Sequence, residues 1–145
     1  PKGTTRDEAK QRFFSWLYDD NKTNPYLSKY YDRDKVRQLY WKNGFVKTMF
    51  GLEIEADRKH ALNYIIQSTT ADLVLRQVIK VHKMLQGMQT HIAFTIHDNI
   101  VLDMPYEERY NIPMLVEEFS NTALGKFLVN VKAGKDFGSL RTLNL

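Results

Sequence analysis

The sequence predicts an α+β fold, with helices through the first part of the chain and a small antiparallel sheet after them. Three observations predict it. Leu62, Ile65, Ile66, Leu73, Val74, Val78, Val81 and Leu85 recur at spacings of three and four, the period of a long amphipathic helix. Downstream, residues 90–95 and 100–104 are apolar, strand-like segments joined by a short polar run, which is a hairpin pattern. Upstream, Arg6, Lys10, Phe14 and Tyr18 stand four apart, so they lie one above another on a single helix face.

Each element has a local cause. Thr5-Arg6-Asp7-Glu8 is a capping-box pattern: Thr5 accepts from the first free N–H groups and Glu8 reaches back to Thr5. The helix it starts is predicted to run to about Asp19 or Asp20. Asn24-Pro25 is a second start signal, with Pro25 suited to a first helical position. A third helix is predicted over residues 32–42, with Asn43-Gly44 as its stop because Gly44 can take a positive φ. Residues 45–51 read as an extended or turning segment. The long helix is predicted over about residues 57–86, stopped by Gly87, and the hairpin around Asp98 follows. Residues 112–122 are predicted helical with Pro113 in the first turn. Residues 127–133 alternate as a half-buried strand.

Composition narrows the chemistry. The 145 residues, 43% of them hydrophobic, suffice for one compact domain or a lobe of a larger one. A net charge of +4 favours polyanionic partners without demanding them. There is no cysteine, which excludes disulfides, thiolate catalysis and cysteine-held zinc. No apolar run approaches the ~20 residues that span a bilayer. Pro1-Lys2-Gly3-Thr4-Thr5 lacks the apolar core of a signal peptide. The expectation is a soluble, cytoplasmic chain with no membrane partner, free of internal repeats and low-complexity linkers.

Three constellations carry chemistry. The first is the Arg6, Lys10, Phe14, Tyr18 face. Two cations at the amino end of a helix, where the dipole also favours anions, suit a triphosphate. The two aromatics beyond them suit a sugar and a base. A solvated basic turn followed by two core aromatics has the same spacing. The second is Lys59, Asn63 and Gln67, a polar stripe distinct from the apolar stripe of the long helix. Such a stripe can donate to phosphates and to the minor-groove acceptors shared by all base pairs, and it can equally be a solvated face. The third is Ile96-His97-Asp98-Asn99-Ile100, which puts one carboxylate at a hairpin tip. That is a good place to fix a hard cation beside a phosphate, although an isolated His-Asp pair also makes a structural turn. Together they point to template-directed nucleotidyl transfer. His60, His82 and His91 have no metal-ligand spacing and read as surface or core residues.

These residues resemble the motifs of the family-A DNA polymerases, the bacterial DNA polymerase I-like enzymes. Arg6-x-x-x-Lys10-x-x-x-Phe14-x-x-x-Tyr18 resembles motif B, on the nucleotide-binding helix of the fingers. Ser15 and Asp19 stand where the family usually has glycine. Asn63-x-x-x-Gln67-Ser68-Thr69-Thr70-Ala71-Asp72 is similar to the family's Asn-x-Pro-x-Gln-Gly-Thr-Ala-Ala-Asp, with Lys59 where arginine is usual. Lysine keeps that charge without the planar fork. Gly44-Phe45-Val46-Lys47-Thr48-Met49-Phe50-Gly51 resembles the family's Gly-Tyr-Val-x-Thr-x-x-Gly segment. His97-Asp98-Asn99 resembles motif C, His-Asp-Glu, on the palm hairpin. The closing run from Val129 to Phe137 resembles the last palm strand and its glycine turn. The matches fall in the family's order and cover about residues 6–140.

The resemblance implies a C-terminal portion of a DNA-directed DNA polymerase: helical partial fingers over residues 1–55, then part of the palm with a small antiparallel sheet over residues 56–145. Arg6 and Lys10 would grip the incoming dNTP, Phe14 would lie against the deoxyribose, and Tyr18 would sit near the nascent base pair. Lys59, Asn63, Gln67 and His97 would contact primer-template DNA. Lys10, His97 and Asp98 would be the catalytic set. Asp98 would be one of two aspartates holding two Mg2+ ions, one activating the primer 3′-hydroxyl and one neutralising pyrophosphate. Asn99 in place of glutamate removes one nearby charge and implies weakened rather than abolished activity. The family's second metal aspartate belongs to motif A, N-terminal to the fingers, and nothing before Arg6 supplies it. The expectation is therefore a split or fragmented enzyme whose companion polypeptide carries the thumb, motif A and the remaining palm. The short interval from Tyr18 to Gln67 implies trimmed, phage-type fingers, and host cytoplasm if so. A fragment of a single-subunit RNA polymerase and a non-catalytic DNA-binding relic are the competing expectations. Phe14 and the run from Gln67 to Asp72 favour DNA over RNA.

Overall fold

The computed structural model describes residues 4–144, so the part of the leader argument that rests on residues 1–3 lies outside it. The fold is α+β, as the sequence predicts, and every strand pairing is antiparallel. Among the described residues the strands form four small sheets: one of three strands and three hairpins. The chain divides into two compact units, Pro1–Thr70 and Ala71–Leu145, with the boundary inside the long helix. Among the described residues no helix is long and apolar enough to cross a membrane.

In the first unit, α1 spans Arg6–Tyr18, and its capping box is formed from both sides. Thr5 Oγ1 accepts from Glu8 N at 3.3 Å, and Glu8 Oε2 accepts from Thr5 N at 3.0 Å. Helix α2, Pro25–Tyr30, starts as its Asn-Pro signal predicts, with Asn24 Oδ1 accepting from Leu27 N. Helix α3 is Arg33–Tyr40, capped by Asp32, whose Oδ1 accepts from Lys35 N at 2.9 Å.

Here the structure corrects the predicted boundary. The helix stops two residues short of Lys42, and Asn43-Gly44 is not its cap but the loop of a hairpin. Strands β1 (Trp41–Lys42) and β2 (Phe45–Lys47) pair across it, Trp41 opposite Val46 and Lys42 opposite Phe45. Asn43 and Gly44 take φ of 53° and 83°, the two positive values that a twisted two-residue hairpin loop needs. Two contacts decide the outcome. Val46 is fully buried at the centre of the core, and the Trp41 indole N–H donates to the Ala56 carbonyl at 2.7 Å. Strand β3, Glu53–Glu55, pairs with β2 on its other edge. The core comprises Val46, Ala56, Ala61, Leu62 and Ile65, with Tyr18, Val36, Tyr40 and Trp41 packed around it.

Helix α4, Arg58–Met84, begins in this unit and ends in the second. Its predicted apolar stripe is the buried one at Leu62, Ile65, Leu73, Val81 and Leu85, whereas Ile66 stays exposed. Gly87 follows with φ 85°, the positive value that lets the chain leave the helix.

In the second unit, β4 (His91–Ile96) and β5 (Asn99–Asp103) form the predicted hairpin, with a register shift between Ile92 and Phe94. A 3-10 turn, Tyr106–Asn111, leads into α5, Ile112–Ser120. Asn121 and Thr122, predicted as helix, pair instead as β6 with β7 (Gly125–Lys126), the Lys126 ammonium bridging back to Glu117 at 2.6 Å. The strand predicted over residues 127–133 is realised only as β8, Val131–Ala133, paired with β9, Arg141–Leu143. Alternation misleads because Phe127 and Leu128 are exposed, Leu128 at 92%, and do not line a core face. The core of this unit is Val81, Leu85 and Leu115, packed with Met84, Met88, Ile92, Ile100, Leu102, Met104 and Phe119.

Two polar side chains fix the second unit. Gln77 is buried, and its amide donates to the carbonyls of Glu118, Phe119 and Asn121 at the end of α5. Gln77→Leu removes the shared donor from these carbonyls, of which that of Asn121 keeps the Lys80 ammonium. It is expected to lower unfolding stability by about 2 kcal/mol, read as a shift of the urea midpoint without a change in slope. Glu108 accepts from the Thr90 hydroxyl and from the N–H groups of Gln89 and Thr90, bonds that hold its carboxyl below the ordinary glutamate range. A lowered folded-state pKa stabilises at neutral pH, and that contribution fades as pH falls below the glutamate range and through the lowered value.

Candidate functional site

The first unit carries the α1 face. Arg6, Lys10 and Phe14 are exposed and Tyr18 is half-buried against the core. The four-residue spacing places the Lys10 ammonium 5.8 Å from the centre of the Phe14 ring. Phe14 in turn stacks on Tyr18, with centroids 5.8 Å apart and planes 14° from parallel. The face is thus a cation followed by two nearly parallel rings, which can take a phosphate and then a flat or half-flat group. Burial raises the Tyr18 pKa, so its hydroxyl stays protonated. The amino end of α1 is partly occupied by its own cap: two of its polar groups are engaged by the Thr5–Glu8 box, and Asp7 and Glu8 lie in the first turn. An anion brought to this face would meet the Arg6 and Lys10 side chains more readily than the helix end.

Lys59, Asn63 and Gln67 follow on α4 at four-residue spacing. Gln67 Nε2 donates to Asn63 Oδ1 at 2.9 Å, joining the two amides into one polar strip. The Lys59 side is flanked by His60, whose Nδ1 lies 2.9 Å from Asp57 Oδ1. The His60 N–H bonds hold the Asp57 carboxyl below its usual range.

The second unit carries the hairpin tip. Ile96 pairs with Asn99, so His97 and Asp98 form the whole loop of a two-residue hairpin. His97 takes φ 52°, a left-handed conformation that costs a non-glycine residue about 1 kcal/mol. A two-residue hairpin loop needs that positive value at its first position, as at Asn43. Both side chains are exposed. Asn99, the residue after the loop, donates its amide to Asp98 Oδ1 at 2.9 Å and to the Ile96 carbonyl at 3.4 Å, tying the carboxylate to the turn. Of the other histidines, His82 lies 3.5 Å from Gln86 Nε2 and His91 3.8 Å from Asp103. Among the described residues no three histidine or carboxylate groups converge to hold a metal ion. Asp98 alone does not fit a two-ion centre, which needs carboxylates from several positions.

Two features escape sequence reading. A cleft of about 450 Å³ lies beside α1, lined by Arg12, Ser15, Trp16, Lys22 and Asn24 among others. The Arg33 guanidinium grips backbone carbonyls at the end of α1. The only signal for either is a scatter of basic residues between Arg12 and Arg37.

Residues 5–139 match the profile of DNA polymerase family A. A DNA polymerase of Mycobacterium phage L5 is 30% identical over 105 residues, 68% of this chain and 17% of that protein. DNA polymerase I of Chloroflexus aurantiacus is 24% identical over 119 residues, 72% of this chain and 13% of that protein. The thermostable DNA polymerase I of Thermus aquaticus is 30% identical over 90 residues, 53% of this chain and 11% of that protein. The matched stretch is thus less than a fifth of the length of each of these relatives. No solved structure matches. With the profile running from the cap of α1 into the loop between β8 and β9, and with the ordered motifs inside it, the chain belongs to DNA polymerase family A.

Proposed function

We propose that this chain is the C-terminal fingers-and-palm portion of a DNA-directed DNA polymerase. Residues 1–55 are partial fingers and residues 56–145 are palm. The observation that carries the reading is Asp98 in the loop of the β4–β5 hairpin, downstream of a cation-and-aromatic face on α1, inside one continuous family match. The relatives are named DNA polymerases, which favours DNA over RNA synthesis. Arg6 and Lys10 hold the triphosphate of the dNTP, Phe14 meets the sugar, and Tyr18 borders the nascent pair. Lys59, Asn63, Gln67 and His97 hold primer-template DNA. Asp98 supplies one oxygen ligand set to a Mg2+ centre whose other carboxylates lie outside these 145 residues.

A companion polypeptide bearing the thumb, motif A and the remaining palm completes the enzyme in this reading. Its support is an incomplete sheet. The β4–β5 hairpin is two-stranded, and one face of it carries the exposed Phe94 and Ile96, with Phe137 stacked on Phe94 at 5.6 Å. The hairpin also contributes Ile92, Ile100 and Leu102 to the core of its unit, so the half-exposed Phe94 and Ile96 are the apolar surface left for a further strand to cover. Primer extension by the 145 residues alone, and again with a polypeptide carrying thumb and motif A, tests the proposal. Extension is expected only in the mixture. Robust extension by these residues alone would refute the need for a companion, and none in either would refute the polymerase reading.

A further inference from the structure

We infer that Arg33 is a positioning residue for Tyr18, fixing the far end of α1 so that the Phe14–Tyr18 platform is preformed. The inference rests on the reading of α1 as the nucleotide-binding helix. A helix ends with carbonyls that have no intrahelical partner and with the negative pole of its dipole. Helices commonly answer this with a cation of their own or with a glycine cap. Helix α1 does neither: it has no basic residue in its last turn, and its C-cap is Asp19, followed by Asp20. Two carboxylates therefore stand at the pole that favours cations.

Arg33 supplies from the first position of α3 what α1 lacks. Its Nη1 donates to the Trp16 carbonyl and, at 3.0 Å, to that of Asp19. Its Nη2 donates to the carbonyls of Asp20 and Lys22 at 3.3 and 3.1 Å. The guanidinium carbon also sits 5.1 Å from the centre of the Trp16 ring. The carbonyls it holds lie on either side of Tyr18, so the backbone carrying that ring is fixed before and after it. Arg37 completes the arrangement: it is buried, and its Nη2 meets Asp20 Oδ1 at 2.8 Å, which binds the second carboxylate to α3. The planar fork is essential, because an ammonium on a flexible stem cannot serve four carbonyls from one position.

The test uses single-nucleotide incorporation by the assembled polymerase with Arg33→Lys, and with Arg33→Gln as a second variant. Arg33→Lys is expected to raise the dNTP KM about fivefold, the worth of roughly one net hydrogen bond, with kcat changed less than about twofold. Amide exchange over residues 17–22 is expected to quicken in both variants. In a Tyr18→Ala background the KM effect of Arg33→Lys is expected to vanish, because Arg33 acts through that ring. An unchanged KM, or the same fivefold rise without the Tyr18 ring, overturns the inference. Failure of the underlying reading looks different: wild-type enzyme that incorporates nothing, or that is indifferent to Lys10→Ala, removes both. Wild-type activity with a Lys10 defect and a normal Arg33→Lys variant removes the inference alone.

Discussion

Asp98→Ala is expected to lower primer extension by the assembled enzyme on the order of a thousandfold, several kcal/mol of lost transition-state stabilisation. Primer-template affinity should stay within about twofold, because that affinity rests on contacts to phosphates and base edges and a lost negative charge does not weaken them. The variant should fold. Asp98 is exposed in a two-residue loop, accepts a side-chain hydrogen bond from the exposed Asn99, and leaves the His97 backbone in place. Asp98→Asn is the tighter control, since it keeps the shape of the side chain and changes the oxygen ligand into an amide. Gel-shift and single-turnover extension on the same preparations separate binding from chemistry. Loss of extension with retained binding identifies a catalytic carboxylate. Retention of both identifies a non-catalytic DNA-binding relic. Loss of both at unchanged secondary structure would assign Asp98 to the DNA grip instead.

The structure makes clear why some of this was visible in the sequence and some was not. Caps are local: Thr5 with Glu8, Asn24 with Pro25 and Gly87 each act within a few residues, and each lies where the pattern puts it. The hairpin around Asp98 was legible for the same reason, two apolar runs across a short polar loop. Asn43-Gly44 was not, because the same dipeptide can stop a helix or turn a hairpin. The choice was made by Val46 and Ala56, which lie in a core assembled from distant segments. Residues 127–133 failed for the opposite reason. Alternation promises a buried face only when something covers it, and nothing among the described residues covers Leu128. The role of Arg33 is hidden beyond its place among scattered basic residues, since its partners are backbone carbonyls, which have no side-chain signature. On the helices, four-residue spacing delivers the contacts that depend on a single helix: Lys10 over Phe14, Phe14 on Tyr18, Gln67 to Asn63.

Lys10→Ala is expected to raise the dNTP KM or lower kcat at least ~10-fold, the loss of one charged contact to phosphate. The direction of the split is informative. A rise in KM alone means that Lys10 holds the triphosphate equally in ground and transition states, whereas a fall in kcat means that it meets charge developing as pyrophosphate leaves. The structural cost of the change is small: Lys10 is exposed, makes no ion pair among the described residues, and its one ring contact, to Phe14, is a weak exposed cation–π pair. The α1 helix should therefore persist, with alanine the better helix former. Lys10→Arg gives the decisive comparison. If the site needs only a positive charge, arginine restores most of the activity. If the phosphate is approached along the helix face past Phe14, the broader guanidinium displaces the ring stack and restores little. Kinetics indistinguishable from wild type in Lys10→Ala would remove Lys10 from the nucleotide site and leave Arg6 as the sole cation of the proposed triphosphate face. A single exposed guanidinium beside Asp7 and Glu8 is a poor holder of a tetra-anion, so that result would undo the assignment of α1 as well.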